Sequence, residues 1–339
     1  MNHPFKRLLF VCGLQAVIVS LGAQSEAARG EFRLMWYNVE NLFHPSDDTT
    51  AGDDEFTPQG VRHWTWTRYT QKLTNLARVI VAGGQWQPPG MVGLGEIENA
   101  QVLEDLVSHP ILEPYHYGYL HKESPDHRGM DIACLFREQR FDPDGWETFP
   151  PVPSGSFAST REVIHVWGRW GRRDSLDLFL VHFISRYGGS GATAEYRRMQ
   201  SASLVHLADS VQRVRPGSLV VLAGDFNESW EGYSLEPLRE MRTGGEFLEP
   251  VQMPARLSSY KYRGVWSGID QFLIGGNMSR YLISGSVFNL PVLLAPDLEY
   301  GGVKPCRTYV GYGYTGGYSD HLPILLDISH SSFSGGSGR

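Results

Sequence analysis

Apolar residues fall into short runs closed off by polar or turn-forming residues, at positions 32–37, 91–94, 132–136, 176–181, 219–223 and 324–328. Runs of this length, apolar at nearly every position, read as strands buried on both faces. Between them the period changes. Tyr69, Leu73, Leu76 and Ile80 recur at helical spacing, and Leu204, Leu207, Ala208 and Val211 form a second such face that begins near Thr193. Strand, helix and strand across 176–223 predict a βαβ unit, so the chain belongs to the α/β class.

Residues 31–329 read as one domain. The chain has 339 residues, 41% hydrophobic and 20% charged, with no linker, charge block or repeat dividing it. Residues 1–27 differ. Lys6 and Arg7 precede a mostly apolar stretch, 8–23, and small residues follow around Ala23 and Ala27. That order is a secretory signal peptide. The stretch is short for a membrane anchor and lacks a basic stop, and Phe10 and Val11 are too bulky for a lipoprotein signal. The expectation is a periplasmic or secreted protein with no stable membrane anchor and no obligate protein partner. Residues 330–339 have little to bury and read as a flexible tail.

The formal charge is −7, and cleavage after Ala23 would remove Lys6 and Arg7, taking it to −9. Such a chain repels polyanions on average, so a nucleic-acid substrate would need local basic residues such as Arg186, Arg197 and Arg198. Cys134 and Cys306 remain after cleavage and leave a disulfide or two free thiols open. The acidic loop HPSDDTTAGDDEF (44–56) does not match the EF-hand register and reads as a solvated loop. GGSGA (188–192) ends in Ala192 and lacks the framing of a serine-hydrolase elbow.

Where the runs end carries the chemistry. Asn38 closes the first, with Glu40 and Asn41 beyond it. Glu96 follows the second, His182 the fourth, with Arg186 four residues on. Asp225 and Asn227 follow the fifth, Asp270 sits inside an apolar stretch, and Asp320 and His321 precede the last run. Taken singly, each reads as a turn residue, helix cap or surface charge. Together they suggest one crevice at the strand ends. Asp225 and Asn227, at i and i+2, would share a face if the strand continued. Oxygen donors without thiolates favour a hard cation, Mg²⁺ or Mn²⁺. Histidines near an arginine suit an anionic phosphate ester.

The segments WYNVENLF, GLGEIEN, VHFISRYGG, LAGDFNE, GIDQFLI and SDHLPILLDI resemble, in order, those of the endonuclease/exonuclease/phosphatase superfamily of divalent-metal phosphoesterases. The likeness extends from about Phe32 to Ile328. It implies a four-layer sandwich of two packed mixed β-sheets flanked by helices. It implies Asn38, Glu96 and Asp320 at the metal, with Glu40 a further acidic group. Asp225 and Asn227 then handle the attacking water and the scissile phosphate, and His321 is the catalytic histidine oriented by Asp270. His182 and Arg186 bind phosphate oxygens, with Asp131 orienting His182. Either Asp225 or His321 would activate the water.

The sequence around Asp270, WSGIDQF, departs from the inositol-polyphosphate branch, and no long membrane-dipping aromatic hairpin is evident. The segments EIEN and HFISRYGG look most like exported bacterial members, many with only a provisional nuclease description. The expected function is an exported metal-dependent phosphodiester hydrolase, a nuclease acting on DNA or RNA. The alternatives are a phosphatase, a lipid or small-molecule phosphodiesterase, or a non-catalytic binding module, the last disfavoured because every site position holds a competent residue.

Overall fold

In the computed structural model all six apolar runs lie within β-strands. The structure describes residues 31–46, 52–85, 87–152, 160–171, 174–186, 190–243, 246–253 and 257–330. The signal segment 1–27, part of the acidic loop, part of GGSGA and tail residues 331–339 lie outside the described residues.

The first sheet contains β1 (Glu31–Leu42), β2 (Met91–Ile97), β3 (Tyr117–His121) and β4 (Asp131–Arg137). The second contains β5 (Phe141–Phe149), β6 (Val163–Trp170), β7 (Asp174–His182), β8 (Leu219–Asp225), β9 (Glu249–Pro250) and β10 (Asp270–Gly275). Two later strands, β11 (Tyr281–Val287) and β12 (Ile324–His330), return to the first sheet. The orders are β11-β12-β1-β2-β4-β3 and β9-β10-β8-β7-β6-β5. Each sheet holds one parallel pair, β1 with β2 and β7 with β8, in an otherwise antiparallel ladder.

The helices cover the outside. α1 (Trp66–Gly83) buries Tyr69, Leu73, Leu76 and Ile80, as their spacing predicts. α2 (Ala100–Val107) starts at Asn99, whose side chain accepts from the Gln101 and Val102 N–H groups. The long α3 (Ser190–Val214) joins β7 to β8 as the expected crossover. α4 (Glu236–Arg239) lies beside it.

Side-chain parity separates the layers. In β8, Leu219, Val221 and Ala223 belong to the core between the sheets. Val220 and Leu222 belong to a second cluster with Leu204 and Ala208 of α3. β7 and β10 divide likewise: Leu178, Leu180, Phe272 and Ile274 face inward, Phe179, Val181 and Leu273 outward. The result is helix, sheet, sheet, helix, the expected sandwich. Among the described residues no helix is long and apolar enough to cross a membrane.

Gly224 shows how tightly β7 and β8 approach. A Cβ there would stand 2.0 Å from the Val181 carbonyl oxygen, a backbone atom with no room to give. Gly224→Ala is therefore expected to cost about 1–3 kcal/mol by overpacking. Thermal unfolding reads it as a lower Tm, whereas an unchanged Tm would contradict the close approach.

Candidate active site

The inner rows of the sandwich run out of apolar residues at one end, and the next inward position is polar. Leu34 and Trp36 lead to Asn38 in β1, Leu178 and Leu180 to His182 in β7, and Val221 and Ala223 to Asp225 in β8. In antiparallel β10 the row begins with Asp270 and continues as Phe272 and Ile274. Registers His182↔Asp225 and Asp270↔Asp225 set these three side by side. Glu96 follows a different rule. Inward-facing Gly95 approaches Trp36 and His182, so regular alternation would send Glu96 outward. A register shift at Gly95/Ile97 and a left-handed backbone at Glu96 (φ 67°) re-aim it. A second shift between Asn38 and Leu42 accompanies left-handed Glu40 and Asn41.

The polar groups form one network. Asn38 Nδ2 donates to Glu96 Oε1 at 3.1 Å and to Asp225 Oδ2 at 3.3 Å, while its Oδ1 accepts from the Glu40 N–H. The Asn41 N–H donates to Glu96 Oε2. Asp270 accepts from Trp36 Nε1 at 2.8 Å and pairs with His321 Nδ1 at 2.7 Å. The His321 Nε2 is 3.8 Å from Asp225 Oδ2, and His182 Nε2 is 3.5 Å from the same oxygen. Ser319 Oγ donates to the Asn38 carbonyl and accepts from the His321 N–H, tying the last loop to β1.

Electrostatics follow from burial. Burial and the Asp270 charge push the Asp225 carboxyl up to about 7, against the pull of His321. Burial alone would lower His321, but Asp270, Asp225 and Asp320 hold it well above its ordinary value. His182 goes the other way: burial, Arg161, Arg128 and His321 depress it well below the usual histidine range. Its Nδ1 is buried with no hydrogen-bond partner among the described residues.

Several contributors had no sequence signal. Lys72 of α1 is wholly buried and donates to Thr308 Oγ1 and the Tyr318 carbonyl. Burial lowers it to about 8, although Glu40, Asp320 and Glu96 pull it upward. Arg307 donates to Glu40 and Asp320 at 3.1 and 3.0 Å. Buried Arg161 donates to the carbonyls of His182 and Phe183, fixing the end of β7. Trp36 and Ser319, by contrast, lie within WYNVENLF and SDHLPILLDI.

Other expectations need correction. Asn227 does not continue the strand: it is left-handed (φ 49°), its N–H caps Asp225 Oδ1 at 2.8 Å, and its Nδ2 donates to the Phe183 carbonyl. Asp131 does not orient His182. It binds His121 Nε2 and Ser124 instead. Arg186 is exposed and donates to the Asn227 carbonyl and Glu228, so it braces the Asn227 turn. Arg197 is buried against Thr193 and Glu228, and Arg198 pairs with Glu236, which removes both from a basic track. Cys134 and Cys306 are free thiols.

The donor chemistry fits a divalent cation. The carboxylates Glu40, Glu96, Asp225, Asp270 and Asp320 form an oxygen-rich set, the donor type that Mg²⁺ and Mn²⁺ prefer, with Lys72, Arg161, Arg197 and Arg307 around it. Asn38, expected as a ligand, turns its amide N–H groups toward Glu96 and Asp225 and acts as their orienting donor. Glu96 and Asp320 remain the ligand candidates. Among the described residues the acidic and histidine groups close enough together to hold a metal are Asp225, Asp270 and His321, and His121, Glu123 and Asp131, neither of which includes Glu96 or Asp320. In the first cluster the short Asp270–His321 hydrogen bond already occupies Nδ1.

A mixed double-sheet sandwich with this set at one end defines a phosphoesterase fold. The endonuclease/exonuclease/phosphatase family model matches residues 33–330, and the chain belongs to that family. No curated protein matches the sequence. Among solved structures, a family member from Bacteroides thetaiotaomicron is 15% identical with TM-score 0.54, over 89% of this chain and 98% of that one. The human Nocturnin catalytic domain with bound sulfate is 13% identical with TM-score 0.55, over 89% and 96%. A mannosyl-6-phosphatase of B. thetaiotaomicron is 15% identical with TM-score 0.55, over 88% and 99%. At these identities the likeness is one of fold.

Two predictions follow from the network. Chelation by EDTA should abolish phosphoester hydrolysis and Mg²⁺ or Mn²⁺ should restore it. Glu96→Ala should weaken metal binding, measured by calorimetry, with circular dichroism unchanged; full activity in metal-free protein would refute the site. The second concerns Asp270 and His321. Rate should rise with pH as Asp225 loses its proton near 7 and fall as His321 loses its own at higher pH. Asp270→Asn removes the negative charge that raises both, so both limbs should move to lower pH. His321→Ala should cost about 10²–10⁴ in kcat. The double variant should be little worse than His321→Ala alone, whereas multiplicative losses would mean the two act independently.

Proposed function

We propose that this chain is an exported, divalent-metal-dependent phosphodiester hydrolase whose substrate is a nucleic acid. The observation that carries the reading is the convergence of two histidines on one buried carboxylate: His182 Nε2 at 3.5 Å and His321 Nε2 at 3.8 Å from Asp225 Oδ2, with His321 backed by Asp270 at 2.7 Å. Asp225 then accepts the proton of the water that attacks phosphorus in line, its pKa suited to a base at neutral pH. Protonated His321 donates to the phosphoryl oxygens as charge grows, and neutral His182 supplies a further donor. Asn227 holds the Asp225 carboxylate through its N–H and is itself tied to the Phe183 carbonyl, and Arg186 keeps that turn in place. A divalent cation held by Glu96 and Asp320 would supply Lewis-acid stabilisation of developing charge, worth several kcal/mol.

The family's name covers nucleases and phosphatases, and one similar structure is a mannosyl-6-phosphatase. A phosphomonoesterase is therefore the second reading. Purified mature protein should be assayed on plasmid DNA, RNA, bis-p-nitrophenyl phosphate, sugar phosphates, sphingomyelin and inositol polyphosphates. The nuclease reading expects cleavage of DNA or RNA that falls steeply with added salt, while the small diester is little affected. Turnover confined to sugar monophosphates would replace it with the phosphatase reading. Export predicts that the periplasmic or secreted protein begins after the leader, which N-terminal sequencing reads.

A further inference from the structure

Two hairpins rise from the reaction centre. In the first, Tyr260–Tyr262 pairs with Val265–Ser267. Its base is bridged to His321, and the Tyr260 ring lies 4.7 Å from the imidazole. In the second, Tyr309–Val310 pairs with Gly313–Tyr314. It follows directly on Arg307 and Thr308, which both hold Glu40. A cavity of about 200 Å³ lies at its foot, lined by Glu40, Arg62, Arg307 and Tyr309. An open surface thus leads from the carboxylates of the site to the second hairpin.

The hairpins carry Tyr262 and Tyr312, 58% and 68% exposed. A lone exposed tyrosine is ordinary. These two differ in their setting, because each ring is paired with a guanidinium: Arg263 lies 5.3 Å from Tyr262 and Arg62 5.4 Å from Tyr312. Both hairpins are also braced. Lys261 donates to the carbonyls of Gly301 and Val303 and pairs with Asp297, while Arg62 donates to the Gly311 carbonyl. Rings held this way bind without a large ordering cost. A flat ring beside a guanidinium suits a planar base attached to a phosphate. Arg263, which forms no ion pair among the described residues, adds the complementary charge.

We propose that Tyr262 and Tyr312 are stacking platforms for the bases of a single-stranded nucleic acid that crosses the site, with Arg263 meeting its phosphates. This rests on the nuclease reading above. Base faces are free in a single strand and covered in a duplex, so the platforms favour single-stranded substrate.

The test uses the mature protein and its Tyr262→Ala and Tyr312→Ala variants, both at exposed positions where folding does not depend on the ring. KM for a single-stranded oligonucleotide should rise about five-fold or more for each variant, with kcat little changed. Hydrolysis of bis-p-nitrophenyl phosphate, which has no strand to lay across Tyr262 and Tyr312, should stay at the wild-type rate. Tyrosine-to-tryptophan variants should retain the low KM. In chelator, where turnover stops, anisotropy of a fluorescent oligodeoxythymidine should show weaker binding by the alanine variants. Unchanged KM and binding in both variants, with wild type cleaving the oligonucleotide, would overturn the platforms alone. No cleavage of any nucleic acid by wild type would overturn the nuclease reading and the platforms with it. Binding to anionic vesicles that the alanine substitutions abolish, with oligonucleotide binding intact, would assign the hairpins to a membrane surface and overturn the proposal.

Discussion

The buried carboxylate of Asp270 is the constraint on which the site depends. It belongs to the second sheet, yet its partners, Trp36 Nε1 and His321 Nδ1, come from the first sheet and the loop entering it. A buried carboxylate without partners costs several kcal/mol, and losing one partner of a buried pair is strongly destabilising. The sheets must therefore pack in the one register that brings Trp36 and His321 to Asp270. Strand pairing within the second sheet already lays His182, Asp225 and Asp270 side by side, so the same packing brings His321 Nε2 to within 3.8 Å of Asp225. Packing and chemistry share one set of bonds.

Much of this was legible in the sequence because it depends on local pattern. Apolar runs located the central strands, and the α1 and α3 faces followed from helical spacing. Parity explains why the polar residues at run ends converge: each inner row simply continues beyond the core. The edge strands β3, β5 and β11 were harder to see, since their burial is partial or alternating and their sequences are not uniformly apolar. Pairing with a neighbour, rather than their own composition, makes them strands.

Non-local residues were not legible. Lys72 looks like any polar residue of an amphipathic helix until loop 305–320 folds over it. Arg307 stands in an unremarkable loop, and only the fold brings it between Glu40 and Asp320. The reverse error affected Arg197. With Arg186 and Arg198 it was expected to supply a local basic surface for a polyanion, whereas the helix buries it against Glu228. Asn227 failed for a local reason. An i, i+2 pair shares a face only while the backbone stays extended, and here the strand stops at Asp225.

That stop is one of several local strains concentrated at the site. Glu40, Asn41, Glu96 and Asn227 all adopt left-handed backbone conformations, which side-chain-bearing residues avoid. Each costs on the order of 1–3 kcal/mol unless its surroundings impose it. Here the surroundings do so through particular bonds: Asn41 N–H to Glu96, Glu40 N–H to Asn38, Asn227 N–H to Asp225. The strained residues are thus held by the carboxylates and carboxamides they position, and relaxing one would release another. The ladders behind them carry no such strain, since the parallel pairs β1–β2 and β7–β8 are buried and regular up to the last few residues. A regular core that ends in an interlocked, strained rim fixes a dense group of like charges that would otherwise separate. A divalent cation or a phosphate binding there would meet donors already in place rather than having to gather them, so little of its binding energy would go into ordering the site.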